Sequence, residues 1–115
     1  MLRMRAEALK GHLDGLLLAA LERGPLHGYG VIEALRAGSG GTFDLPTGTV
    51  YPALHRLERA GLIRSAWSDG PGRRRRSYRL TPAGLTALAE QRVGWREFSR
   101  SVSAILDAGP WPTPA

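Results

Sequence analysis

The stretch Pro46 to Ile63, PTGTVYPALHRLERAGLI, constrains this chain more than any other. Thr47 or Thr49 can cap a helix at its start, and Pro52 sits in the first turn or two, where a missing N–H costs least. Val50, Leu54 and Leu57 recur at spacings of four and three and form one apolar stripe. Ala60-Gly61 supplies a C-terminal glycine stop. At about 100° per residue, Tyr51, Pro52, His55, Arg56 and Arg59 fall on the opposite face. A helix that is apolar on one side and aromatic and basic on the other suits the major groove of DNA.

The segments before it read as its support. Met1 to Gly11 is a basic lead-in that the sequence does not force into one state. His12 to Arg23 is expected to be helical, with Leu13, Leu16, Leu17, Ala20 and Leu21 on one face and Gly24-Pro25 as the stop. Asp14 near its start complements the helix dipole. A second, shorter helix is expected from Gly28 to Ala37, with Val31, Ile32 and Leu35 facing the core and Gly38-Ser39-Gly40-Gly41 breaking it. His27 and Tyr29 stand among glycines at its start. They can pack there, or Tyr29 and the helix N-terminus can hold a DNA phosphate. A hydroxyl on an aromatic body can do both.

After the central helix the period changes. Leu62 to Ser68 alternates, with Ile63, Ser65 and Trp67 on one side, and Asp69-Gly70-Pro71-Gly72 is a turn by composition. Arg74 to Leu80 returns as a second strand, with Tyr78 and Leu80 sharing a face. This hairpin carries the densest charge in the chain, Arg73-Arg74-Arg75-Arg76. Such a run is either a solvated edge kept charged against aggregation or a set of contacts to phosphates and the minor groove. Alternate strand residues point to opposite faces, so two or three of the four are expected to make equivalent contacts.

Thr81-Pro82 is an N-cap followed by proline at the first helical position, and the helix it opens is expected to reach about Asp107. That is roughly 40 Å at 1.5 Å per residue. Leu85, Leu88, Trp95, Val102 and Leu106 follow near-heptad spacing, with Phe98 and Ile105 beside them. The first turns can cover a small core. Trp95, Phe98, Val102, Ile105 and Leu106 lie beyond it and need another surface, for which a symmetric partner chain is economical. Gly109-Pro110 ends the helix, leaving a tail.

Composition narrows the partners. With 115 residues the chain supports one modest core, and its net charge of +6 comes from arginine far more than lysine. Arginine's rigid fork matches phosphate and guanine edges. The absence of cysteine excludes disulfides, thiolate metal sites and a cysteine nucleophile. His12, His27 and His55 are scattered without metal-ligand spacing, and no glycine cluster has a nucleotide-binding context, so neither catalysis nor a cofactor is expected. The longest apolar run, Leu16 to Leu21, is too short to span a bilayer. No signal-peptide core follows the basic start, and a cytoplasmic location is expected.

The run TGTVYPALHRLERAGLI resembles the recognition helix of the PadR family of bacterial transcriptional regulators. LHGYGVIEAL (Leu26 to Leu35) and RRRRSYRLTPAGLTAL (Arg73 to Leu88) resemble the same family in the same order, and the likeness covers Leu13 to Leu106. The resemblance implies a winged helix-turn-helix dimer that represses transcription, often relieved by a small molecule. It carries over Tyr51 and Pro52, which match the family's GT-hydrophobe-YP motif at Gly48 to Pro52. His55 and Arg56 stand on more variable ground and are candidates for setting which operator is read.

The expected fold is therefore mainly α with a small β-hairpin wing. Residues 1–80 form a winged helix-turn-helix with its lead-in, 81–108 a dimerisation helix and 109–115 a flexible tail. The expected function is sequence-specific binding of duplex DNA by a homodimer, since one winged helix touches too few base pairs and a pseudo-palindrome suits a two-fold pair. The expected contacts are Tyr29, Thr47, Thr49, Tyr51, Pro52, His55, Arg56 and Arg73 to Arg76. Trp95 and Phe98 either form plain dimer core or line a cavity for a small apolar or aromatic effector. The alternative is a winged-helix protein-interaction module without operator binding.

Overall fold

The computed structural model describes residue 9, residues 11–70 and residues 73–110. Most of the basic lead-in, residues 71 and 72 of the expected turn and the expected tail 111–115 lie outside the described residues, as does the side chain of Arg73. Four helices and three short strands follow one another as α1 (Leu13–Ala20), β1 (Leu26–His27), α2 (Gly28–Gly38), α3 (Thr47–Arg59), β2 (Ile63–Gly70), β3 (Arg73–Leu80) and α4 (Pro82–Leu106). The strands form one antiparallel sheet in the order β1-β3-β2.

The helices α1, α2 and α3 close over a single core. Leu17, Leu18 and Leu21 come from α1 and its exit, and Val31, Ile32 and Leu35 from α2. From α3 come Val50, Ala53, Leu54 and Leu57, while Ile63 and Tyr78 seal the sheet side. The α1 helix is shorter than the periodicity predicts. From Leu21 to Gly24 the chain tightens into turns in which Leu21, Glu22 and Gly24 donate to the carbonyls of Leu18, Ala19 and Leu21, three residues back. Leu18 is buried beside Leu17 within α1, a position that the expected apolar face omits.

The cap of α3 also differs from expectation. Neither threonine caps it; Pro46 is the N-cap residue in extended geometry, and its carbonyl accepts from Thr49 N and Val50 N at 3.0 and 3.1 Å. Proline's fixed φ presets that entry, which moves Thr47 and Thr49 inside the first turn. At the other end Gly61 adopts φ +78°, and Leu62 N–H reaches back to Leu57 O at 3.0 Å. This six-to-one bond is the Schellman closure that the Ala60-Gly61 stop foretells.

The hairpin is longer than the composition predicts. Asp69 and Gly70 are strand residues paired with Arg74 and Arg73, not part of the turn. Eight consecutive cross-strand pairs from Ile63↔Leu80 to Gly70↔Arg73 outweigh the weak strand propensity of Asp and Gly. The two-residue β1 has no period to read. It pairs Leu26 with Tyr78 and His27 with Ser77, which ties the α2 entrance to the wing.

Thr81 opens α4 as expected. Its Oγ1 accepts from Gly84 N at 3.1 Å and donates to Gly61 O at 2.6 Å, while its N–H bonds Leu62 O at 3.1 Å. The 25 residues of α4 span about 38 Å. Its early turns bury Gly84 and Leu88, and Arg92 forks onto the Glu22 carboxylate with two bonds of 2.7 and 2.8 Å. Leu85, expected on the apolar stripe, is 52% exposed.

Candidate nucleic-acid interface

The outer face of α3 presents Thr47, Pro52, His55, Arg56 and Arg59 to solvent, with Thr49 half-buried. Pro52 lacks the N–H that would bond Gly48 O, and both residues are exposed, so that carbonyl is open to water. Tyr51 is half-buried. Its ring lies so close to α2 that a Cβ on Gly28 would stand 2.4 Å from the phenol tip. Tyr51 therefore braces α3 against the start of α2 while sharing the helix start with Thr47 and Thr49. Tyr29, one residue beyond Gly28, is 67% exposed.

Ion pairs divide the basic residues. Arg56 bonds the carboxylate of Asp14, joining α3 to α1, so its guanidinium is held at the helix side. Glu22 is taken by Arg92, and Glu58 by Ser65 and Arg76. Among the described residues Arg59 has no carboxylate partner. Hydrogen bonding from the Ser65 hydroxyl, aided by Arg76, holds the Glu58 carboxyl below the usual carboxylate range. The Arg92 fork does the same to Glu22.

Strand parity splits the wing. Arg74 and Arg76 share a face with Trp67, with guanidinium carbons 5.2 and 5.7 Å from its ring centroid. Arg74 also lies 3.8 Å from Asp69. Arg75 points to the other face, exposed and without an ion-pair partner among the described residues. His27 Nδ1 donates to the Arg76 carbonyl at 3.3 Å and so serves the β1–β3 seam.

Sequence reasoning missed the Asp14–Arg56 pair and the role of Trp67. The first joins residues 42 positions apart, which no local pattern reveals. A signal for the second was present, because a two-residue tip at Pro71-Gly72 would have set Trp67 opposite Arg76.

Along α4, Trp95, Phe98, Ile105 and Leu106 are each more than half exposed and Val102 is half-buried. Trp95 and Phe98 are not wholly without cover. His12 meets the Trp95 ring edge-on at 5.3 Å and lies 6.2 Å from Phe98. Together they border an open groove of about 520 Å³ between α1 and α4, walled by Leu16, Ala19, Phe43 and Leu88, with Gln91 and Arg92 at its polar edge. Among the described residues no helix is long and apolar enough to cross a membrane, and no cluster could hold a metal ion.

Three helices, an exposed third-helix face and a basic hairpin define a winged helix-turn-helix of the kind that DNA-binding regulators use. The chain belongs to the PadR-like family of transcriptional regulators, whose family model matches residues 17–90. It is 53% identical over 60 residues to the transcriptional regulator Rv3488 of Mycobacterium tuberculosis, a match spanning 52% of this chain and 56% of that protein. A transcriptional regulator from Clostridium thermocellum superposes with a TM-score of 0.82 at 25% identity, over 88% of this chain and 99% of that one. A PadR family regulator from Eggerthella lenta does so with a TM-score of 0.76 at 34% identity, covering 87% and 86%. The chain is accordingly a regulator and not an enzyme.

Proposed function

We propose that this regulator represses transcription from the cytoplasm as a homodimer that reads a pseudo-palindromic operator. Residues up to Leu80 form the DNA-binding unit, and residues 81–108 the dimerisation helix. The observation that carries the reading is that the exposed outer face of α3 and a wing with exposed Arg74, Arg75 and Arg76 belong to one unit, tied together by Glu58 to Ser65 and Arg76. Thr47, Thr49, Tyr51 and Pro52 meet the major groove, and His55 and the held Arg56 lie further along. Tyr29 and Arg73 to Arg76 take phosphates. The partner covers Trp95, Phe98, Val102, Ile105 and Leu106, which no element among the described residues buries fully. A flat apolar or aromatic effector in the groove beside Trp95 and Phe98 relieves repression by favouring a dimer geometry that misfits the operator.

Binding of the purified chain to its own upstream region, with scrambled duplex as competitor at two salt concentrations, tests this. A preference that survives the higher salt supports operator reading. Equal, salt-sensitive binding to both duplexes rejects the upstream region as operator. No binding at all favours a protein-interaction role. The variant Arg75→Ala is expected to weaken both duplexes alike and to lower the salt slope by about one. Tyr51→Ala should hurt the operator more than random DNA, and equal loss on both would remove Tyr51 from sequence reading. Tryptophan quenching by an aromatic compound, coupled to release of DNA, tests the effector.

A further inference from the structure

Trp67 is 57% exposed, although its face of the hairpin carries the buried Ile63 and Tyr78 nearer the base. Trp67 is flanked by Arg76 directly across the strand and Arg74 on the diagonal, both within stacking range of its ring. Arg76 continues inward, donating to Ser65 Oγ at 2.7 Å and to the Glu58 carboxylate at 3.3 and 3.4 Å. A chain of contacts thus runs from Glu58 on α3 through Arg76 and Trp67 to Arg74 near the wing tip.

We propose that Trp67 is a positioning residue for duplex DNA, its ring a rest that holds Arg74 ready for phosphate against an Arg76 already anchored to Glu58. The proposal rests on the reading of α3 and the wing as the DNA interface. A ring face attracts a guanidinium without neutralising it, and leaves the in-plane N–H donors free for phosphate. Arg76 spends Nε on Ser65 and Nη2 on Glu58, whereas Arg74 has only the exposed Asp69 at 3.8 Å from its Nε and keeps its Nη donors for phosphate. Arginine also loses less on binding when its stem is already ordered. Because Arg76 is anchored to Glu58, the ring passes the position of α3 on to Arg74, so helix and wing approach the duplex in fixed register. Arg75 points to the other face and is independent of this device.

The full chain is titrated with upstream and scrambled duplexes at two salt concentrations, with a thermal melt of each variant. Trp67→Leu is expected to weaken both duplexes alike, by roughly threefold to tenfold. Trp67→Phe, which keeps an aromatic face, should recover most of that loss. Arg74→Gln should cost less in the Trp67→Leu background than in the native chain, while Arg75→Gln costs the same in both. Unchanged affinity in Trp67→Leu, a Trp67→Phe variant as weak as Trp67→Leu at equal melting temperature, or strict additivity with Arg74→Gln would overturn the proposal. Should Trp67→Leu fail to fold, Trp67→Thr, which also removes the ring but suits a strand, replaces it in the cycle with Arg74→Gln and is judged on the same criteria. A native chain that binds neither duplex fails the DNA reading itself and takes this inference with it, whereas native binding without these differences fails the inference alone.

Discussion

Tyr51 packs at the start of the helix proposed to read DNA, so packing and the proposed recognition fall on one residue. Its phenol tip occupies the space that a side chain on Gly28 would need, so the α2–α3 angle depends on that glycine having none. Gly28→Ala is expected to push the ring tip aside and not the backbone, since the atoms met belong to the far end of a side chain. Stability should fall by about 1 kcal/mol, while preference for operator over random DNA falls more, as direct titration of the two duplexes will show. Glu58 illustrates a second residue effect. Its carboxyl is held below the usual range by the Ser65 hydroxyl and by Arg76, so the stabilisation is complete above that range and is lost as pH falls through the lowered value. Melting temperatures between neutral pH and pH 3 should therefore drop further in the native chain than in Glu58→Gln, by an amount worth roughly 1 kcal/mol or less. Parallel drops would show that the contact contributes nothing. These pairings were not legible beforehand, because Glu58 and Arg76 lie 18 residues apart and meet only once the hairpin is built.

At the scale of elements, strong punctuation was readable and weak punctuation was not. Thr81-Pro82 and the Gly38 to Gly41 run place their boundaries within a residue or two, because a side-chain cap and a glycine cluster act locally. The two residues of β1 offer no periodicity, and Asp69-Gly70 looks like turn until cross-strand pairing overrides it. The α3–β2 and β3–α4 junctions share one crossing that only the fold reveals. A Cβ on Gly84 would stand 2.0 Å from Leu62 O, a backbone atom fixed by its bond from Thr81 N–H. Gly84→Ala is expected to cost about 3 kcal/mol, at the upper end for overpacking, and chemical denaturation will measure it. A loss under 1 kcal/mol would mean that α4 shifts freely on the wing. The wing arginines were legible as a charged run, but their division into a stacked pair and an outward Arg75 required the register.

For the whole molecule, the decisive surface is the far part of α4. Ile105 and Leu106 are 58% and 75% exposed at the end of a helix that outreaches the core. The native chain is expected to behave as a dimer in light scattering, with a melting temperature that rises with concentration. Ile105→Asp should weaken association by roughly tenfold or more, and a native monomer at high concentration would reject the paired reading. Thr81 gives that surface a mechanical meaning. The same threonine grips the end of α3 through Gly61 and Leu62 and starts the rod of α4 through Gly84. The rod thus works as a tiller, and whatever grasps its far end steers the reading head at the near one. In the proposed dimer the spacing between the two heads would then follow from a grip roughly 40 Å away.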